Sequence, residues 1–568
     1  MRRTLVALTV LAVVAPASAA AAPIPDGPRG EASDFSGAPF DSRPLRSPAP
    51  PRHPFMARND RSNLHQDAYQ TDTSRGLGPL GHGMRQTSTL KTADCGSVTF
   101  DSRGRIVTVC VGFLRPTLVV MDPNSLAAIE EMPLPLRQPS ANPFQDFTGG
   151  GYFYLDNRDR AVLATTDRRI LVVAGARDVQ ASYDIRGAVP SGDGVISTLP
   201  DWSGRLWFAT KGGVVGWVDP RTGAVRSRAL GEPIGNSFAV DEENGVYIVT
   251  DKALYRFEAT PGGIDTVWRE GYANDDQKKP GQTQRGSGTT PTLFGPGLAA
   301  ITDNADPIRV VVMRRGRSTG GRSRTVCATP VFSKGASSDD QSLIAVNRSL
   351  IAENNYGYTG PPSVQSGRTT QPGLERVDVR RGLRRCPKIW RSEERAPSVV
   401  PKVSLDGGLV YTYTKPPGRS DDPWYLTALN FRNGRTVWKQ LAGYGLGHNN
   451  NYAPVTIGPD NGTAYVGALG GLIALRDSTP PRLPRRPRLK VKARCGNRRV
   501  RGRLAGIDEP LVLRARIAVR KRTRTDRKSP FRIRWKLRRT PRRVRVRIVA
   551  RLRDGRLPRR TKTVRCRR

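Results

Sequence analysis

One short pattern recurs along most of this chain: an aspartate, a tight turn with glycine, then a strand rich in Val, Ile, Tyr and Trp. It appears as FDSRGRIVTV (100–109), LPDWSGRLWFAT (199–210), VDEENGVYIVT (240–250), VSLDGGLVYTYT (403–414) and IGPDNGTAYVGA (457–468). A second pattern, a strand, a turn and a departing strand, is interspersed with it: VVMDPNSLAAIEE, GWVDPRTGAVRSR, RVDVRRGLRRCPKIW and ALNFRNGRTVWKQ. The runs are short, bounded by Gly, Asp, Asn or Pro, and hardly any window shows a helical period. Repeats of about 40–55 residues with several strands each are the mark of a β-propeller. Residues 85–478 give room for seven or eight blades. Two successive sandwiches would not need the same hairpin throughout. The 58 glycines and 46 prolines fit a turn-rich chain and disfavour long helices.

ALNFRNGRTVWKQ and RVDVRRGLRRCPKIW resemble the blade motif of quinoprotein-like propellers, the family with PQQ-type repeats. In that family a Gly turn is followed by a Trp that packs between blades. The resemblance covers about residues 90–478 and implies docking roles for Trp268, Trp390 and Trp438. It implies a fold, not an activity. Many alcohol-oxidising relatives hold their quinone against a disulfide between adjacent cysteines; this chain has no Cys-Cys pair, which argues against PQQ. Glu353, Asn354 and Asp303 are the residue types that family places around Ca²⁺, and a Ca²⁺-dependent lactonase-like propeller uses the same types, but no surrounding motif maps them.

The two ends differ from the middle. Met1-Arg2-Arg3, the apolar run Leu5–Ala15 and Ala17-Ser18-Ala19 read as an export signal over residues 1–19. The run is shorter than the ~20 residues a bilayer span needs, so the expectation is a secreted or cell-envelope protein. Residues 20–84, rich in Pro and Arg, read as a flexible lead. After a Pro-rich linker (479–490), residues 491–568 alternate apolar and basic residues, as in Phe531-Arg532-Ile533-Arg534-Trp535. That period predicts strands with one buried face, and a small immunoglobulin-like β-sandwich fits it. The expected fold class is therefore all-β throughout. Of the formal charge of +44, residues 481–568 carry +33, from 37 Lys and Arg against four Asp and Glu. Such a field attracts polyanions. For an exported chain an anionic envelope polymer is the expected partner rather than nucleic acid, since no recognition helix is in evidence. Six cysteines fit an oxidising compartment. Proximity groups Cys95 with Cys110, Cys327 with Cys386 and Cys495 with Cys566, one of fifteen pairings the sequence allows.

Four segments are polar where blades are usually apolar: 62–72, 300–312, 351–358 and 447–455. The candidate ligand-binding residues are His65, Asp67, Asp303, Asn304, Asp306, Glu353, Asn354, Asn355, His448 and Asn449. Carboxylates mixed with amides suit Ca²⁺ or a sugar-like ligand, with Asp303, Glu353 and Asn354 as metal candidates. Asn and Asp also make turns, and that reading stands beside the first. His65 and Asp67 form a candidate orienting pair, with His448 as a base across the channel and Glu353 with Asp303 as acid and base. No GxSxG elbow or Gly-rich phosphate cradle is present, and no catalytic residue is assigned. The leading expectation is a non-catalytic binding or scaffold protein. The alternative is a Ca²⁺- or quinone-dependent dehydrogenase or lactonase-like enzyme.

Overall fold

A computed structural model describes residues 21–140, 142–383, 385–459, 462–520 and 522–567. The expected export signal lies outside the described residues. No described helix is long and apolar enough to cross a membrane.

Eight sheets make the blades of a propeller. Blades 1 to 6 have four strands each in chain order from the channel outward, as in Val195–Pro200, Leu206–Thr210, Val214–Val218 and Val225–Ala229 of blade 3. The four of blade 7 gain one strand at each edge from the N-terminal segment. The three inner strands of that blade are buried along their whole length, because neighbouring blades cover both faces. Its outer strand is exposed at four of five positions. This gradient produces the continuous apolar runs of the sequence. The eighth blade closes the ring: Val455–Ile457, Thr463–Ala468 and Gly471–Asp477 are completed by Met84–Leu90, from the other end of the domain.

The recurring aspartates hold the turns between the first and second strands. Asp101 Oδ1 accepts from the backbone N–H of Arg103 (3.0 Å) and Arg105 (2.8 Å). Asp156, Asp201 and Asp241 repeat this chelation in blades 2, 3 and 4. Tryptophans on third and fourth strands then tie blades together. Trp217 Nε1 donates to Gly263 O (3.1 Å) and Trp390 Nε1 to Phe431 O (2.9 Å), each in the following blade. Cys95–Cys110 staples the first hairpin of blade 1, and Cys327–Cys386 joins blades 5 and 6.

Two expectations are corrected. Residues 21–83 are not a flexible lead. They run along blades 8 and 7, where Phe35–Gly37 adds a strand beside Trp438–Gln440, and then enter the channel. There, residues 62–74 are buried throughout. The innermost strands of several blades are only two or three residues long, which leaves amides facing the channel without partners. The inserted segment supplies the acceptors one blade after another. Leu155 donates to Ser62 O (2.7 Å), Val240 to Ala68 O (3.0 Å), Leu293 to Tyr69 O (2.8 Å), Ala345 to Thr71 O (2.9 Å) and Val403 to Asp72 O (3.0 Å). Left-handed backbone at Gln66, Gln70 and Asp72 curls the segment round the axis.

The C-terminal domain is not a two-sheet sandwich. It is one seven-stranded sheet curled into a nearly closed barrel around Val500, Leu504, Ile517, Ile533, Val546 and Ile548. Its order, from edge to edge, is Arg522–Asp526, Val512–Val519, Arg543–Leu552, Arg559–Arg567, Leu489–Gly496, Arg499–Gly506 and Arg532–Lys536. The parallel pair carries the disulfide, Cys495 opposite Cys566. Period-two alternation describes a buried face in either architecture, so the pattern alone does not separate them.

Candidate functional site

Strand order decides which loops can meet. The chain runs one way on first and third strands and back on second and fourth. Second-to-third turns and blade-to-blade connections therefore share one face of the ring, here termed the upper face.

At the upper mouth of the channel lies a cavity of about 200 Å³, lined among others by Tyr152, Asn236, Thr283, Asp340, Gln341 and Tyr452. All six lie in connections between blades or where a connection meets the first strand. Tyr152 donates its hydroxyl to Asn236 Oδ1 (2.6 Å). Asp340 Oδ1 accepts from the amide (3.2 Å) and hydroxyl (3.4 Å) of Thr283. Burial pushes the Asp340 carboxyl up to about 7, against the Thr283 hydrogen bonds. Gln341 is pinned by Ser398 O (3.0 Å), and Tyr452 OH accepts from Gln145 (2.9 Å). The arrangement offers phenols, amides and one carboxyl that changes charge near neutrality, a set suited to hydrogen-bonding a small polar ligand.

The inserted segment plugs the channel. Its His65 Nδ1 lies 3.1 Å from Asp72 Oδ1 and 3.0 Å from Ser342 Oγ. Asp72 also pairs with Lys402, and neither side chain is exposed. Burial raises Asp72, but Lys402 and His65 outweigh it and hold the carboxyl below its usual range. Burial lowers both His65 and Lys402. Serine and aspartate meet the same ring nitrogen, so the trio lacks the relay in which histidine takes a serine proton on one nitrogen and is oriented through the other. Asp67 accepts from the Tyr69 amide (2.9 Å) and the Thr71 hydroxyl (2.5 Å) and does not orient His65.

The other sequence candidates staple upper loops. Asp303 chelates its own turn through Arg309 Nε (2.6 Å) and two backbone amides. Asn304 donates to Asn274 and Asp275 and accepts from Gln282. Asp306 takes the Gly335 amide (2.7 Å). Glu353 accepts from Asn355 (2.9 Å) and Thr412 (3.3 Å), and its burial drives the carboxyl well above its usual range. Asn354 fixes Ser338 and Ala336, and Asn355 holds the Asp340 amide (3.0 Å). His448 Nδ1 meets Tyr444 O (3.0 Å), and Asn449 accepts from Tyr358. No hydrogen bond or ion pair joins Asp303, Glu353 and His448. The proposed Ca²⁺ donors do not fit a cation: Asp303 is neutralised by Arg309, burial favours the protonated form of Glu353, and both Asn354 side-chain atoms are engaged. Among the described residues no three His, Cys, Asp or Glu cluster as metal ligands.

Sequence reasoning missed Tyr152, Asn236, Asp340 and Gln341. The available signal was a polar residue in the connection just ahead of a short innermost strand, as in Asn236-Ser237 and Asp339-Asp340.

No family model matches the chain. An uncharacterized protein of Archaeoglobus fulgidus is 30% identical over 320 residues, which is 50% of this chain and 62% of that protein. The chain thus spans under two thirds of that relative. Similar solved structures include Chaetomium thermophilum Sqt1 bound to the N-terminus of the ribosomal protein L10 (TM-score 0.41, 11% identity, 77% of this chain and all of that one). The WD40 repeats of RRP9 (TM-score 0.36, 8% identity) cover 64% of this chain and 99% of their own. The extracellular domain of a B. thetaiotaomicron hybrid two component system (TM-score 0.28, 10% identity) covers 83% and 72%. These likenesses are too distant to add to the topology already described.

Proposed function

We propose that the protein is exported and held on an anionic cell-envelope polymer by residues 481–568, while the propeller presents a ligand cavity on its upper face. One observation carries this reading: an unneutralised arginine lattice. On three adjacent strands, Lys492, Arg503 and Arg532 stand in one cross-strand row, and Arg494, Arg501 and Arg534 in the next. All six are exposed. Rows lie about 6.8 Å apart and strands about 4.8 Å apart. Like charges directly opposite each other are destabilising, and no carboxylate separates these. Three of the domain's four acids are used elsewhere, Asp508 on Arg488, Glu509 on Arg46 and Asp554 on Arg556, while Asp526 sits at the lattice edge on the Lys528 and Arg532 amides. An anionic chain laid across the rows relieves the repulsion and releases its counterions. The three disulfides support an oxidising compartment.

Long-chain polyphosphate serves as probe. Replacing Arg494, Arg501, Arg503 and Arg534 by Ser is expected to weaken binding more than tenfold. It should also reduce the slope of log affinity against log salt by about 0.7 per lost contact. Binding that ignores salt, or the four substitutions, overturns the proposal. A second reading, a dehydrogenase or lactonase-like enzyme acting on a sugar-like substrate in the channel, is favoured by Asp340 alone; it requires oxidation or hydrolysis of such a substrate that Asp340→Asn abolishes.

A further inference from the structure

A second upper-face cavity, of about 460 Å³, opens between blades 8 and 1 and borders the channel mouth, with which it shares Phe147. Its walls are apolar, with Leu90, Val111, Phe113, Phe147, Leu446 and Leu469 among them. Two polar side chains interrupt them. Asp94 is 8% exposed, its Oδ1 is buried without a partner, and neither carboxyl oxygen receives a hydrogen bond. Arg137 has only 4% of its side chain exposed, and its Nε is likewise without a partner. Its other nitrogens donate to Gly112 O (3.1 Å) and Asp146 O (2.6 Å). Both groups belong to one end of the cavity, because Asp94 stands opposite Val111 and Arg137 grips Gly112, the next residue.

An unpartnered polar group buried in apolar surroundings costs stability. Two at one cavity need a reason, and the charge balance supplies it. Asp146 is the carboxylate nearest Arg137, at 3.4 Å, and it is shared with Lys211, at 2.6 Å. Two cations on one carboxylate leave positive charge at this wall. Burial alone drives Asp94 well above the usual carboxylate range, which favours its protonated form, a hydroxyl donor without negative charge.

We propose that this cavity binds an amphiphilic carboxylate, its apolar body along Leu446 and Leu469 and its head accepting hydrogen bonds from Arg137 Nε and Asp94. The site is separate from the arginine lattice and adjoins the channel mouth through Phe147; it does not depend on what either of them binds.

Decanoate is the probe, with decanol and decylammonium for comparison, titrated calorimetrically into the full chain. About 0.5 M salt, where the Debye length falls to a few ångströms, suppresses attraction to the C-terminal arginines. Decanoate is expected to bind one to one, decanol at least about tenfold more weakly, and decylammonium not at all. Asp94→Leu should raise the Tm, since it removes an unpartnered acid, yet weaken decanoate at least tenfold. A purely structural Asp94 would not show both effects. Leu469→Trp, which fills the cavity from a surface turn, should abolish binding and covers the case in which Asp94→Leu fails to fold. Decylammonium binding as well as decanoate, no saturable decanoate binding, or decanoate binding unchanged by these substitutions overturns the proposal.

Discussion

Lys402 and Asp72 are fully buried and meet inside the channel, one from the inner strand of blade 7 and the other from the inserted segment. The Coulomb gain of such a pair is set against desolvation of both ions, so its net contribution is small while both partners remain. Removing one partner is different. Lys402→Met leaves the Asp72 carboxylate with only His65 and Ser342, and is expected to cost about 3–5 kcal/mol in urea unfolding. The double variant Lys402→Met/Asp72→Asn should recover most of that loss; no recovery would mean that the lysine stem, not the charge, matters. Asp67, four residues after Asn63 in the same segment, carries a pH signature. Burial is the leading cause that pushes its carboxyl up to about 7, as it does for Asp340. A carboxyl raised on folding binds its proton more tightly in the folded chain. The stability it contributes is present at low pH and lost as pH rises through 7. His53, lowered to about 3 by burial, acts the other way, but only below its unfolded value of 6.5. Thermal stability should therefore be higher at pH 6.5 than at pH 8.5. Asp67→Asn keeps an acceptor for the Tyr69 amide and should flatten that difference, chiefly by raising the Tm at the alkaline end.

The inserted segment is the element on which the ring most depends. Inner-strand amides at Leu155, Val240, Leu293, Ala345, Val403 and Leu405 all donate to its carbonyls. At about 1 kcal/mol per hydrogen bond, a chain beginning at residue 80 is expected to lose more than 5 kcal/mol. It should also expose the channel to a hydrophobic dye, and a synthetic peptide spanning 55–78 should reverse both effects. Unchanged stability would show that water serves those amides equally well. This element also marks where sequence reading stopped. The blade hairpins were legible because Asp101, Asp201 and Asp241 repeat one local chelation with turn residues at fixed offsets. The segment SNLHQDAYQTDTS has no period, and three of its non-glycine residues adopt left-handed backbone, so it reads as loop. Its structure comes from amides hundreds of residues away. The candidate site was obscured for the same reason. Asp303 and Asn355 look like ligands by composition, yet their partners are the turns and connections around them. Asp340, which does face the channel, becomes distinctive only once five blade-to-blade connections are brought together.

For the whole molecule, the separation of charge sets two opposing salt dependences. The C-terminal domain touches the propeller's lower face through Arg553 with Asp406, Arg46 with Glu509, and Arg488 Nη2 on Ser42 O at 2.7 Å. In blade 7 the recurring turn aspartate thus faces a neighbouring domain rather than chelating its own turn. Beyond those contacts the domain keeps its cationic rows in register, held by a core of Val, Ile and Leu and by Cys495–Cys566, which closes a 71-residue separation. A crosslink over that length contributes about 4 kcal/mol by the loop-entropy argument. Repulsion among exposed charges is screened over about 10 Å at 0.1 M salt and about 3 Å at 1 M. Raising salt should therefore stabilise this domain, while it weakens any polyanion contact the domain makes. In scanning calorimetry the transition of residues 489–567 is expected to move upward between 0.05 and 0.5 M salt, by several degrees for each 1 kcal/mol of relieved repulsion. The propeller transition, which owes little to exposed ion pairs, should stay nearly fixed. Reducing the disulfides should lower the C-terminal transition most at low salt, where repulsion is unscreened. If that transition instead falls with salt, the two ion pairs and the hydrogen bond to the propeller, not the lattice, govern the domain, and Arg553→Ala should then lower it as far as high salt does.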